Sequence, residues 1–185
     1  MKDTLTNVTN EDAMIKELDN IVLEKFGLKD DEFIDYALTV QIPLINSKRN
    51  ATTRIVTVNE MKQYASYFEQ YFKKVFNKAN KYIKIVLYPK VKGMYSIFEL
   101  IISDKKEDQI VEIQENIENN KKLLTRFMVN KHTDMFYQIK NIINFEENSF
   151  YIIKTKEFRN WHPAMAKLDL IEVIDEMLSG NGGDN

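Results

Sequence analysis

The chain has 185 residues, 44% of them hydrophobic and 29% charged, with a net charge of −2; this describes one folded domain with an ordinary core and excludes a disordered polymer. It has no cysteine and only two histidines, which excludes disulfides, Cys-ligated zinc and thiol catalysis and leaves little for an imidazole-rich metal site. The opening residues lack a leader-like apolar core, and no apolar run approaches the roughly 18 residues of a membrane span, so a cytoplasmic protein with no membrane contact is expected.

Residues 1–10 are polar and expected to be flexible. From Glu11, Met14, Ile15, Leu18, Ile21, Val22 and Phe26 follow helical spacing, and Gly27 is a good stop. Asp30, Asp31 and Glu32 place acids in the first turn of a second helix, where the macrodipole favours them. Its apolar positions are Phe33, Ile34, Ala37, Leu38 and Ile42, and Pro43 opposes continuation. The pair reads as two short helices packed together. After a polar, basic loop over 46–53, Thr57 and Glu60 have the spacing of a capping box. The helix it opens, 58–77, should bury Met61, Tyr64, Ala65, Phe68, Phe72, Val75 and Phe76.

Residues 82–88 and 94–103 alternate and are rich in β-branched and aromatic side chains, which predicts a hairpin. Residues 110–117 fit strand or helix, and 120–129 read as helix. A second hairpin is expected from 135–145 and 149–156. Pro163 suits a helix start, and Leu168, Ile171, Ile174, Met177 and Leu178 supply an apolar face before Gly180. The expectation is a single α+β domain over 11–179, a small antiparallel sheet of two hairpins covered by helices, with a disordered tail at 180–185.

The charges fall in blocks. Residues 1–47 carry 4 basic and 10 acidic side chains, a balance of −6, and residues 48–92 carry 11 and 2, a balance of +9. The following stretches, 93–120, 121–160 and 161–185, balance at −5, +4 and −4. Either folding keeps these blocks apart as patches or it intermixes them into an ordinary surface.

No Gly-rich phosphate loop, GxSxG elbow or HExxH is present. Glu99, Asp104 and Lys105 have the composition of a metal-nuclease centre, but five positions put Glu99 and Asp104 on opposite faces of a regular strand. His162 could serve as a general base with Asp169 or Glu157, or simply pack at a helix start beside Trp161. The basic block offers Lys48, Arg49, Arg54, Lys73, Lys74, Lys78, Lys81, Lys84, Lys90 and Lys92 with Tyr64, Tyr67, Tyr71, Tyr82 and Tyr88 interleaved. Such a mixture can neutralise phosphates and stack on bases, or form an ordinary solvated face. A second cluster, Lys154, Lys156, Arg159, Trp161 and His162, sits where a strand meets the last helix.

Residues 18–44 (LDNIVLEKFGLKDDEFIDYALTVQIPL) and 150–178, beginning FYIIKTKEFRNWHP, together carry a family likeness. The first resembles the region after the catalytic domain of large bacterial adenine DNA methylases, where a helix ending in Tyr/Phe-Gly-Leu precedes an acidic helix. The second resembles the end of that region, an apolar strand leading through a basic, Trp-containing stretch to a closing helix. The methylase catalytic portion is missing from this chain. What the resemblance implies is a non-catalytic accessory subunit of a restriction or anti-phage defence system. It would need no cofactor and would dock on a larger enzyme or ATPase subunit, with DNA as an additional contact. The binding positions are then Lys48, Arg49, Arg54, Lys73, Lys74, Lys154, Lys156, Arg159, Trp161 and His162. The alternatives are a divergent metal-dependent nuclease or a small DNA-binding regulator of a mobile element; no helix-turn-helix is recognisable for the latter.

Overall fold

The structure, a computed structural model, describes residues 3–46, 52–90, 94–115 and 141–180. The first helix, α1 (Asp3–Lys25), begins well before Glu11 and ends in a turn at Gly27, whose φ of 71° is the left-handed conformation that favours glycine. Asp31 caps α2 (Glu32–Tyr36), its carboxylate accepting the Phe33 and Ile34 N–H groups at 2.9 and 3.1 Å. Pro43 does not end this helical run. A π turn, Ala37–Gln41, closes with the Ile42 N–H on the Ala37 carbonyl, and α3 (Ile42–Ile45) follows with Pro43 in its first turn. Pro43 has no N–H to give to the turn before it, and the widened π turn accommodates its ring against the preceding backbone.

The capping box forms as the sequence predicts. The Thr57 hydroxyl accepts the Glu60 N–H at 3.3 Å, and the Glu60 carboxylate accepts the Thr57 N–H at 2.8 Å, opening α4 (Val58–Phe76). Met61, Tyr64, Ala65, Phe68 and Phe72 are its buried stripe, whereas Val75 lies outside it and is exposed.

Five strands form one mixed, mostly antiparallel sheet in the order β3-β1-β2-β5-β4. The two hairpins are β1 (Tyr82–Tyr88) with β2 (Tyr95–Ser103), and β4 (Asn141–Glu146) with β5 (Ser149–Thr155); β2 and β5 join them. The ambiguous stretch near 110 resolves as β3 (Val111–Ile113), which runs parallel to β1 at the sheet edge. The expected helix over 120–129, the start of the second hairpin before 141, and the tail beyond 180 lie outside the described residues.

The last helix, α5 (Pro163–Gly180), and α4 cover one face of the sheet. Phe68 and Phe72 meet Phe98 and Phe150, and Ile85, Leu87, Leu100 and Ile152 complete that core. The opposite face carries a second buried cluster, Ile97, Ile142, Tyr151 and Ile153. Strands buried on both sides need apolar residues at successive positions, which explains the continuous runs in β1, β2 and β5. On α5 the buried side is Ala164, Ala166, Asp169 and Val173, while Leu168, Ile171 and Leu178 are exposed. Of the expected apolar face, Met177 packs against the core and Ile174 is half-buried, whereas Leu168, Ile171 and Leu178 lie outside it and the small Ala164 and Ala166 are fully buried.

Candidate functional site

The junction between β5 and α5 gathers most of the polar side chains at the core. Lys154 pairs in register with Ser96 on the helix-covered face and is 4% exposed. Its ammonium donates to the Asp169 carboxylate and, at 3.0 Å, to the Asn160 carbonyl. Asp169 also accepts the Tyr64 hydroxyl at 2.7 Å. Burial lowers the Lys154 pKa and the charge of Asp169 opposes that effect. Burial, with the Asp169 charge adding to it, raises the Tyr64 hydroxyl well above its ordinary value. The three groups come from β5, α5 and α4, so this network ties the sheet to both covering helices.

Trp161 is fully buried, its indole N–H donating to the Thr155 carbonyl at 2.9 Å and its ring meeting Tyr64 edge-on. His162 is 2% exposed. Its Nδ1 accepts the Ala164 N–H at 3.2 Å, leaving Nε2 to donate to the Asp35 carboxylate at 2.9 Å. Burial lowers its pKa, with Asp35 opposing, which matches a neutral ring with its proton on Nε2. Neither partner proposed from sequence engages it: Asp169 serves Lys154 and Tyr64, and Glu157 accepts Arg159 at 2.6 Å.

A second connection holds α2 to the domain. Glu32 accepts from Lys167 on α5 and from the Tyr67 hydroxyl on α4 at 2.5 Å. These bonds hold the Glu32 carboxyl down to about 2. With Asp35 on His162 one turn later, α2 places one carboxylate on α4 and α5 and a second on the residue that precedes α5.

The segment around Arg54 runs beside the junction. Val56 N–H donates to the Lys156 carbonyl and Lys156 N–H to that of Met94, both at 2.7 Å. The Arg54 guanidinium lies over the Phe158 ring at 4.1 Å and pairs with Glu60, whose carboxyl is held at about 2, chiefly by Arg54. Lys156 is half-buried, and burial lowers its pKa. Of the positions proposed in the basic block, Lys73 pairs with Glu69 at 2.6 Å and Lys74 is exposed; Lys48 and Arg49 lie outside the described residues. Tyr64, Tyr67 and Tyr88 direct their hydroxyls to Asp169, Glu32 and Glu99.

The charge blocks intermix at several points. Lys81, Lys84 and Lys90 pair with Asp104, Glu112 and Glu115, joining the +9 block to the −5 block. Glu99 is buried on the second sheet face, bonded to the Tyr88 hydroxyl, while Asp104 lies exposed beyond the end of β2. Among the described residues no group of three or more acids or histidines could hold a metal ion. None of their helices is long and apolar enough to cross a membrane.

The remaining feature is α1. Met14, Ile15, Leu18, Ile21, Val22 and Phe26 are all exposed, Leu18 at 61% and Phe26 at 72%. The expected packing of α1 on α2 uses another side of the helix: Leu23, Asp19 and Asn20 line a cavity with Ile34 and Leu38. Sequence reasoning located the stripe but gave it the wrong neighbour. It missed Asp35 and read Glu32 only as a first-turn acid, although carboxylates three apart on a short helix carry the necessary signal, and it offered Asp169 to His162, whereas Asp169 serves Lys154 and Tyr64. No family model, curated protein or solved structure matches this chain.

Proposed function

We propose that the chain is a non-catalytic accessory subunit of a bacterial anti-phage defence or restriction system, docking on a larger enzyme or ATPase through α1. The observation that carries this reading is the exposed stripe on that helix. Five large apolar side chains of α1 at helical spacing, continued by Phe26 in the turn that follows, are left in water along one side, as a helix seated in a partner's groove requires. The polar groups support it as well. The buried Lys154, Asp169 and His162 are engaged in holding elements together. The type of system follows from the likeness of residues 18–44 and 150–178 to the region after the catalytic domain of adenine DNA methylases.

DNA is a second contact in this reading. Lys74 and, in the turn after α4, Lys78 pair with no acid among the described residues, and Tyr71 stands exposed on α4 one turn before Lys74. Unpaired cations beside an exposed ring can engage phosphate and base together.

The test is affinity purification from the native host with the natural chain and with the double variant Leu18→Glu/Ile21→Lys. A larger enzyme bearing methylase, nuclease or ATPase motifs should co-elute in stoichiometric amount, survive nuclease treatment, and disappear with the double variant. Elution of the natural chain alone, or with nucleic acid only, would overturn the proposal.

A further inference from the structure

A cavity of about 450 Å³ opens where the C-terminal end of α4 meets the beginning of β1 and the loop between β2 and β3. Three lysines from separate parts of the chain line it: Lys73 on α4, Lys81 before β1, and Lys106 in the loop. Their convergence is not a consequence of sequence proximity. Two hold acids, Lys73 the half-buried Glu69 and Lys81 the exposed Asp104, whose side chain is 79% exposed. A surface pair such as Lys81–Asp104 contributes about 0–1 kcal/mol and yields readily to a stronger anion. Lys106 has no partner among the described residues.

The remaining walls differ in chemistry. Tyr82, Ile83 and Ile110 give an apolar side, and the Asn77 and Asn80 amides give donors and acceptors at the rim. Asn80, on the lining, holds a left-handed backbone, φ 54°, which terminates the helical run before β1. Glu107 is the one acid on the lining, so the balance there is +2. Volume, cations, amides and an apolar wall together match a heterocycle carrying a phosphate more closely than a bare anion.

We propose that this cavity binds a nucleoside phosphate, with Lys73, Lys81 and Lys106 around the phosphate and Tyr82, Ile83 and Ile110 against the base. The same chemistry is offered by a free nucleotide and by the phosphorylated end of a nucleic acid strand. The site is separate from the α1 stripe, so its loss leaves the docking reading untouched.

Calorimetric titration of the full chain at low ionic strength, with AMP, adenosine and inorganic phosphate, tests the site. AMP should bind at least tenfold tighter than adenosine or phosphate. Lys106→Glu, which alters a loop side chain with no partner to lose, should weaken AMP at least tenfold while leaving the thermal midpoint in place; Lys73→Gln should weaken it less. No AMP binding at millimolar concentration, AMP no tighter than phosphate, or indifference to Lys106→Glu would each overturn the proposal. A 5′-phosphorylated oligonucleotide that binds at least tenfold tighter than AMP, and loses this advantage without its phosphate, identifies a strand end as the source. Equal affinities identify the free nucleotide.

Discussion

Lys154 and Asp169 form a buried ion pair that fastens β5 to α5, and Tyr64 brings α4 to the same carboxylate. Each charge is tolerable in the core because of the other, so the effect of a substitution depends on whether it strands its partner. Lys154→Ala leaves Asp169 buried without its cation and should cost about 3–5 kcal/mol. Replacing both, Lys154→Met with Asp169→Leu, removes the stranded charge and should recover most of that loss. Urea denaturation of the two singles and the double, set out as a cycle, decides it. A double variant as unstable as the sum of the singles would show that the pair is not the source of the loss.

His162 makes stability depend on pH in a defined direction. Burial places its folded pKa below the ordinary value of 6.5, against the opposing carboxylates Asp35, Glu32 and Glu60. Below about 6.5 the unfolded chain therefore takes up a proton that the folded ring refuses. The His162 contribution is complete above that pH and declines as pH falls toward the folded value. Glu32 and Glu60, held at about 2, lose their contributions only at lower pH, below the ordinary carboxylate range. The urea midpoint should thus fall between about pH 7.5 and about pH 5.5. His162→Gln should flatten that interval, and an unchanged slope would place the effect elsewhere.

The α4 cap provides a local test. Thr57 and Glu60 satisfy each other's backbone donors, and Glu60 also holds Arg54 against the Phe158 ring. Thr57→Ala should cost about 1 kcal/mol through the lost cap alone. Glu60→Ala leaves the Thr57 hydroxyl on the residue-60 N–H but removes the carboxylate half of the cap and frees Arg54, so it should cost more than Thr57→Ala; denaturation midpoints at equal slope measure both.

What was legible in the sequence follows from how local each signal is. Thr57 and Glu60 announce a helix start because both members of the cap lie within one turn, and the alternation of 82–88 announces a strand for the same reason. The parallel placement of β3 was not legible. Three residues, 111–113, carry too little pattern, and their position is set by backbone bonds such as Ile85 N–H on the Ile110 carbonyl. The burial of Lys154 was equally hidden, since its partner Asp169 lies fifteen residues away on a helix whose packed side was misjudged. Large side chains at Leu168, Ile171 and Leu178 suggested the core side, but they are exposed, and the small Ala164 and Ala166 are fully buried where α5 packs beside α4. The surface role first suggested by the cluster at 154–162 came from residue type, and type does not reveal that Trp161 and His162 point inward.

The clearest contrast lies between two helices of similar pattern. Both α1 and α4 carry apolar side chains at helical spacing, yet Phe68 is fully buried and Leu18 is 61% exposed. Removing Phe68 to Ala opens a cavity among Phe98, Phe150 and Tyr64 and should cost about 3–5 kcal/mol. The Leu18→Glu/Ile21→Lys pair removes no buried contact, keeps good helix formers and places opposite charges three residues apart. Its effect on the isolated chain should stay within about 0.5 kcal/mol for each substitution, with improved solubility as the apolar stripe shrinks. Thermal melts of both variants, with light scattering across a concentration series, give the comparison. A large loss of stability in the α1 variant would mean that the stripe is held within its own chain and would remove the basis for docking through it.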